Sequence, residues 1–456
     1  MQRIWAREAL LPEGWRDSVL IEIAPGGRVG AVGPDTAPTT DCLRVGVLVP
    51  APANCHSHAF QRAMAGLTEQ RGAEPSDTFW TWRQRMFAFL ERIMPEQVEA
   101  IAAQVQMEML EAGFATNVEF HYLHHRPDGG PYADPAEMSA RIAAAAATTG
   151  IGLTLLPVHY QFGGLDRRPL GAGQRRFGTD PDRFARLVEG AERALGVLPA
   201  DTVLGIAPHS LRAVAPETLA MLAALRPGAP VHMHLAETPG EVAEVMAALG
   251  RRPVEWMMEN VALSSRWCLI HLTQMLPAET RALARTGAVA GLCPLTEASL
   301  GDGIFDGVTW CDENGAIALG SDSNIRISLA EELRQLDTSQ RLRDHSRAAL
   351  ATAARSTGRR LLEDVATGGA TASGRGRGRI EPGAWADLLA LDTTHVDLEG
   401  LRGDTLLDSF AFAGDSGMVA EVWAAGRHLV RGGRHIRRDE ITAAYRTAVR
   451  GLREST

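Results

Sequence analysis

Eight apolar runs, almost every one closing on polar residues, recur between residues 45 and 324 with helical stretches between them, and few folds accommodate that rhythm. The runs are "VGVLVPAPANCHSH", "TNVEFHYLHH", "IGLTLLPVHYQF", "TVLGIAPHSLR", "PVHMHLAE", "WCLIHLTQ", "AVAGLCPLTEASLG" and "AIALGSDSN". Short, nearly continuous apolar runs suit strands buried on both faces. Between them, "PEQVEAIAAQVQMEMLEAG", "DPAEMSARIAAAAATTG" and "DPDRFARLVEGAERALG" tend to open with Asp or Pro and close with Gly, as helix ends require. Strands alternating with crossover helices pair in parallel, so the pattern predicts an α/β protein, a (β/α)8 TIM-like barrel over residues 48–375. The flanks read differently. Residues 1–47 ("SVLIEIAPGGRVGAV") and 376–456 ("WADLLALD", "VAEVWAAGRHLV") are strand-and-turn sequence, with a last helix in "EITAAYRTAVRGL". Neither flank can bury a core alone, so they are expected to form one small β-sandwich domain from both chain ends.

Composition narrows the function classes. Of the 456 residues 45% are hydrophobic and 22% charged, which suits a large globular core. A net charge of −9 argues against a nucleic-acid partner, whose phosphates demand a basic face. The three Gly-Arg repeats of "GRGRGRI" read better as a loop into the terminal domain than as an RNA-binding tail. No run approaches the roughly 18 apolar residues that span a bilayer, and "MQRIWAREALLPEGW" lacks a signal-peptide layout, so a cytoplasmic protein without a membrane partner is expected. The five cysteines contain no C-x-x-C pair, and Cys55, between two histidines on the opposite strand face, reads as small core filler. All 46 basic residues are arginine. A chain without lysine can form no Schiff base and no carbamylated lysine bridging two metals.

In such barrels the carboxyl ends of the strands carry the active site. There the first run ends in His56 and His58, which share a strand face because residues i and i+2 do. The fifth supplies His232, His234 and Glu237, the sixth His271, and the eighth Asp322. A lone strand-end histidine is usually structural, but together these residues offer three nitrogen ligands and a carboxylate, with a histidine and a glutamate to spare. Imidazole and carboxylate suit Zn²⁺, and on ligand type alone Fe²⁺, Mn²⁺ and Ni²⁺ stay open.

The series H-x-H, H-x-x-E, lone His and S-D resembles the amidohydrolase superfamily in its mononuclear deaminase branch, and "GRIEPGAWADL" at 378–388 resembles its return to the terminal β unit. The resemblance covers essentially the whole chain. It implies one divalent ion, most readily Zn²⁺, held by His56, His58, His234 and Asp322. His234 is preferred to His232 because it stands three residues before Glu237; His232 is then a core or supporting histidine. Glu237 becomes the proton shuttle to substrate nitrogen, while His271 and Asp322 handle the proton of the attacking water.

"NCHSHAFQRAMAGLTE", "DTFWTWRQRM", "EFHYLHH", "APHSLRAV" and "HLAET" are similar, more specifically, to the formimidoylglutamate deiminases. This implies hydrolysis of N-formimidoyl-L-glutamate to N-formyl-L-glutamate and ammonia in histidine breakdown. Substrate contacts then fall on Gln61, Arg83, Tyr122, His209 and Arg212. Arginine's planar fork suits the carboxylates of such a small-molecule dicarboxylate. A cytoplasmic homodimer is expected. The competing expectations are a formimidoyl-aspartate preference, a nucleobase-type ring deaminase with fewer carboxylate clamps and more aromatic stacking, and an inactive assembly protein on the same barrel. The last would be expected to lose metal ligands, and none is missing here.

Overall fold

The computed structural model describes residues 2–69, 86–87 and 89–453. The N-terminal strands are β1 (Gln2–Leu11), β2 (Gly14–Ile23), β3 (Val29–Gly33) and β4 (Leu43–Pro50). The eight apolar runs contain β5 (Ala53–Ser57), β6 (Thr116–His121), β7 (Gly152–His159), β8 (Val203–Leu204), β9 (Ala207–Pro208), β10 (Val231–Leu235), β11 (Trp267–His271), β12 (Val289–Leu292) and β13 (Ala316–Leu319). The C-terminal strands are β14 (Leu388–Leu391), β15 (Val419–Ala424), β16 (Arg427–Arg431) and β17 (Arg434–His435).

Strands β5-β6-β7-β8 form one parallel sheet, with β9 also on β7, and β10-β11-β12-β13 form another. Single parallel bridges, Ile206 to Val231 and Ser57 to Asp322, link the two sheets at both edges. The fourth run is the weakest strand: Gly205 interrupts it, because a Cβ there would lie 2.6 Å from the Pro230 carbonyl oxygen. Helices fill the connections where the caps placed them. Asp180 accepts from the Arg183 N–H at the start of Pro181–Leu195, and Gly150 ends Glu137–Thr149 with φ of 74°.

Two features depart from the pattern read along the chain. The first apolar run serves two sheets: its leading half is β4, and only the part beyond Pro52 joins the parallel strands as β5. Past the eighth run and before the C-terminal flank, where no helix was named, Thr357–Ala372 is a helix of 16 residues. Its glycines are there for contact: a Cβ on Gly368 would meet the Ile317 carbonyl oxygen at 1.9 Å, so glycine lets the helix lie directly on β13.

Both chain ends build one eight-stranded sheet, ordered β17-β16-β15-β14-β4-β1-β2-β3. Its strand alternation feeds two cores. Leu388 and Ala390 pack with Ile4, Ile21, Leu48 and Trp423, while Leu389 and Leu391 join the main core with Phe114, Phe120 and Phe184. The sheet thus backs the parallel strands and leaves their carboxyl ends free to carry the site.

Candidate active site

His56 and His58 lie at the end of β5, and Cys55 between them faces the opposite way into a small cluster with Cys268 and Cys293. The turn after β13 is tied to this strand by backbone bonds. The Asp322 N–H donates to the His56 oxygen at 2.9 Å, and the His58 N–H donates to the Asp322 oxygen at 2.9 Å. So close a pairing needs Gly320, where a Cβ would fall 2.7 Å from the His56 nitrogen. Asp322 itself has φ of 46°, a left-handed conformation costly for a residue with a side chain. A buried network holds it: Asn54 donates to the Ser321 hydroxyl at 2.7 Å, that hydroxyl to Asn324 at 2.6 Å, and Asn324 to the Ser57 hydroxyl at 3.2 Å.

The ring orientations follow from their second nitrogens. His58 Nδ1 lies 2.9 Å from the Phe120 carbonyl and His234 Nδ1 3.2 Å from the His209 carbonyl. A carbonyl only accepts, so both Nδ1 atoms carry the proton and both Nε2 atoms present a lone pair. These converge: Nε2 of His56 is 3.2 Å from that of His58 and 3.1 Å from that of His234. Asp322 Oδ1 stands 3.2 Å from His58 Nε2 and 3.5 Å from His56 Nε2. Burial and neighbouring imidazoles hold His56 and His234 well below the ordinary histidine range, and burial holds His58 at about 3, so all three stay neutral. Lone pairs aimed at one point repel unless a cation sits between them. Tetrahedral ligands at zinc–nitrogen distances lie about 3.3 Å apart, so this donor set fits such an ion.

The remaining candidates surround that cradle. Glu237 follows β10, and its Oε2 accepts from Arg212 at 3.1 Å, both side chains buried. His271 ends β11 with Nε2 3.8 Å from Glu237 Oε1 and 3.9 Å from Asp322 Oδ2. Burial disfavours a charged His271, but its hydrogen bond to Glu297 and the carboxylates of Glu237 and Asp322 outweigh this and push it up to about 10. Burial likewise raises Asp322 to about 7, against the pull of His271. A cleft opens above these groups, and Gln61, Tyr122, His209 and Arg212 all line it. Gln61 donates to the Tyr122 hydroxyl at 2.8 Å, and the buried Nε of Arg212 has no partner among the described residues. His232 points away, with Nε2 2.8 Å from the Ala372 carbonyl. Arg83, with Trp80 and Trp82, lies outside the described residues.

Several lining or supporting residues escaped sequence reasoning: Tyr160, Arg168 and Ser210 on the wall, and Glu119 and Glu297 behind it. Glu119 accepts from the Ala59 N–H at 2.7 Å and so shapes the turn after His58. Both glutamates belong to the apolar runs, Glu119 within β6 and Glu297 on the helix Pro294–Leu300 after β12.

The model of the amidohydrolase family matches residues 47–429, and that of the formimidoylglutamate deiminase HutF N-terminal domain matches residues 1–42. The formimidoylglutamate deiminase of Pseudomonas aeruginosa is 46% identical over 98% of each chain. The crystal structure of an amidohydrolase from Brucella melitensis is 47% identical, with a TM-score of 0.95 over 99% of this chain and 100% of that one. An adenosine deaminase from Xanthomonas campestris, solved with bound zinc, shares the fold at 21% identity, with a TM-score of 0.81 over 99% and 98% of the two chains. With both family models matched and near half of its residues shared with that deiminase along nearly its full length, the chain belongs to the amidohydrolase family and, within it, to the formimidoylglutamate deiminases.

Proposed function

We propose that the chain hydrolyses N-formimidoyl-L-glutamate to N-formyl-L-glutamate and ammonia, using one divalent ion, Zn²⁺ by preference, held by His56, His58, His234 and Asp322. The observation that carries this is the convergence of three neutral Nε2 atoms and a carboxylate at the foot of a cleft that also holds a buried arginine. When bound, the ion supplies a Lewis acid that makes water nucleophilic near neutral pH.

The chain's own groups do the rest. Arg212 offers its free Nε–H to a substrate carboxylate while its Nη2 anchors Glu237. Gln61, Tyr122 and His209 add hydrogen bonds along the wall, and Arg83 is assigned a second carboxylate. His271 and Asp322, 3.9 Å apart, orient the attacking water, and Asp322 receives its proton. The proton taken from the water passes to Glu237, which delivers it to the formimidoyl nitrogen, and the proton of the new hydroxyl follows the same way as the C–N bond breaks. The carbon exchanges nitrogen for oxygen, and ammonia leaves.

The same reading takes residues 48–375 as a (β/α)8 barrel, a closure supported by the two bridges between the parallel sheets. The terminal unit is drawn from 1–47 and 376–456, with β4 carrying the first boundary on to Pro50. Free cysteines at all five positions suit a reducing, cytoplasmic setting.

Ammonia release from formimidoyl-glutamate beside formimidoyl-aspartate, guanine and adenosine tests the substrate. Turnover is expected to be fastest on the glutamate compound. Faster release from either ring compound would replace this reading with a ring deaminase.

A further inference from the structure

We propose that Glu297 is a positioning residue for His271, fixing its ring plane and turning Nε2 toward the cleft. This rests on the proposed role of His271 in orienting the attacking water.

His271 sits in a strained place. Its φ is 75° and that of Leu272 is 55°, two successive side-chain-bearing residues in the left-handed region at the end of β11. Such a conformation persists only where surrounding contacts over-determine it. One contact is its ring, parallel to that of His234 within 9° at 5.5 Å between centroids. The other is Glu297, whose Oε1 lies 3.3 Å from His271 Nδ1. The same oxygen accepts the Cys293 N–H at 2.8 Å, which locks the carboxylate on the first turn of the helix Pro294–Leu300.

The Glu297 Oε1 that accepts the Cys293 N–H is an acceptor toward the ring as well, so Nδ1 of His271 carries a proton. Nε2 is then the atom presented to the cleft, facing Glu237 and Asp322 at 3.8 and 3.9 Å. Glu297 does not itself line the cleft. It therefore acts through the ring, as a buried carboxylate orients a catalytic imidazole in hydrolases of other folds.

The test compares E297M, E297Q and H271N in the full-length, zinc-loaded enzyme. The readouts are metal content, kcat and KM for ammonia release, and ¹⁵N spectra of histidine-labelled protein. E297M removes the acceptor at similar size; kcat should fall by about 10²-fold, with KM within about twofold and zinc retained. The Nδ1–H signal assigned to His271 should disappear. E297Q keeps an oxygen for the Cys293 N–H, hence the fold, but loses the charge; kcat should fall by roughly tenfold, a partial rescue relative to E297M. Wild-type kcat in E297Q overturns the proposal even if E297M fails to fold. So does an unchanged Nδ1–H signal in E297M, which would leave Glu297 a helix cap only. Wild-type turnover in H271N removes instead the role of His271 on which the proposal stands.

Discussion

Arg212 reaches Glu237 across 3.1 Å, with both side chains buried at the wall of the cleft. The arginine closes the fourth apolar run and the glutamate the fifth, so neighbouring strand ends bring the two charges together. Burial penalises the guanidinium, but the nearby Glu241 and Glu237 carboxylates more than offset this and raise its pKa. One cation thus touches the proposed proton shuttle with Nη2 and leaves a buried Nε–H for a substrate carboxylate. On the proposed reading, substrate recognition and proton transfer share a residue.

Replacing Arg212 by Met should therefore do two things. It removes a carboxylate donor, and it strands Glu237 as a buried, unpaired charge. On formimidoyl-glutamate kcat/KM should drop by roughly 2–4 kcal/mol in transition-state terms. On a neutral formamidine only the part due to Glu237 should remain, so the loss is smaller. Arg212→Lys should recover little, because an ammonium lacks the paired donors of the fork. Equal losses on both compounds would mean that Arg212 serves Glu237 alone.

Glu237→Gln should separate proton transfer from metal binding. Glu237 is outside the cluster of converging nitrogens, so the variant should keep its metal, measured by elemental analysis. Its kcat should fall by at least about 10²-fold, the scale of a lost general acid–base group. Normal turnover in this variant would assign the proton to another group.

Much of this site is legible in the chain because two periodicities act together. Period-2 alternation puts His56 and His58 on one face, and strand ends sharing one rim gather His234, His271 and Asp322 from distant segments. What stays hidden depends on tertiary contact. Glu297 looks like any helical glutamate until His271 arrives from β11 at 3.3 Å. Arg168 lies in a loop of no regular pattern and reaches the cleft wall only because that loop folds back over Gly163 and Gly164. The helix Thr357–Ala372 carries a Gly-Gly pair that reads as a turn, and only the closeness of β13 explains it.

The converging donors predict about one tightly held divalent ion per chain, countable by mass spectrometry of the metal. His56→Ala and Asp322→Ala should each remove most of it. Chelation should lower the Tm of the wild-type protein, because an ion at a hundred times its Kd stabilises the fold by about 2.7 kcal/mol. The two variants should melt near the chelated protein and respond little to added zinc. Two tight ions per chain would contradict a single-ion centre.

The Gly-Arg repeat yields the last prediction. Arg375, its first arginine, is buried; its Nη1 donates to Asp201 at 2.7 Å and its Nη2 to Asp387 at 3.0 Å. Arg427 completes the cluster with bonds of 2.8 and 2.7 Å to the two Asp201 oxygens, joining the terminal sheet to the segment before β8. Burial pushes Asp201 up, but the hydrogen bonds and charges of Arg427 and Arg375 prevail, and its pKa is lowered in the folded state. Stability from such a group is present above the unfolded value of about 3.9 and is lost as pH falls through the lower folded value. Asp201→Asn, which leaves two arginines under-compensated, should cost about 3 kcal/mol at pH 7. Below about pH 3.9 the gap should shrink, because the wild-type carboxylate is then being protonated too. Urea unfolding at pH 7 and pH 3 measures both numbers, and parallel curves at the two pH values would mean that the cluster contributes no charge-dependent stability.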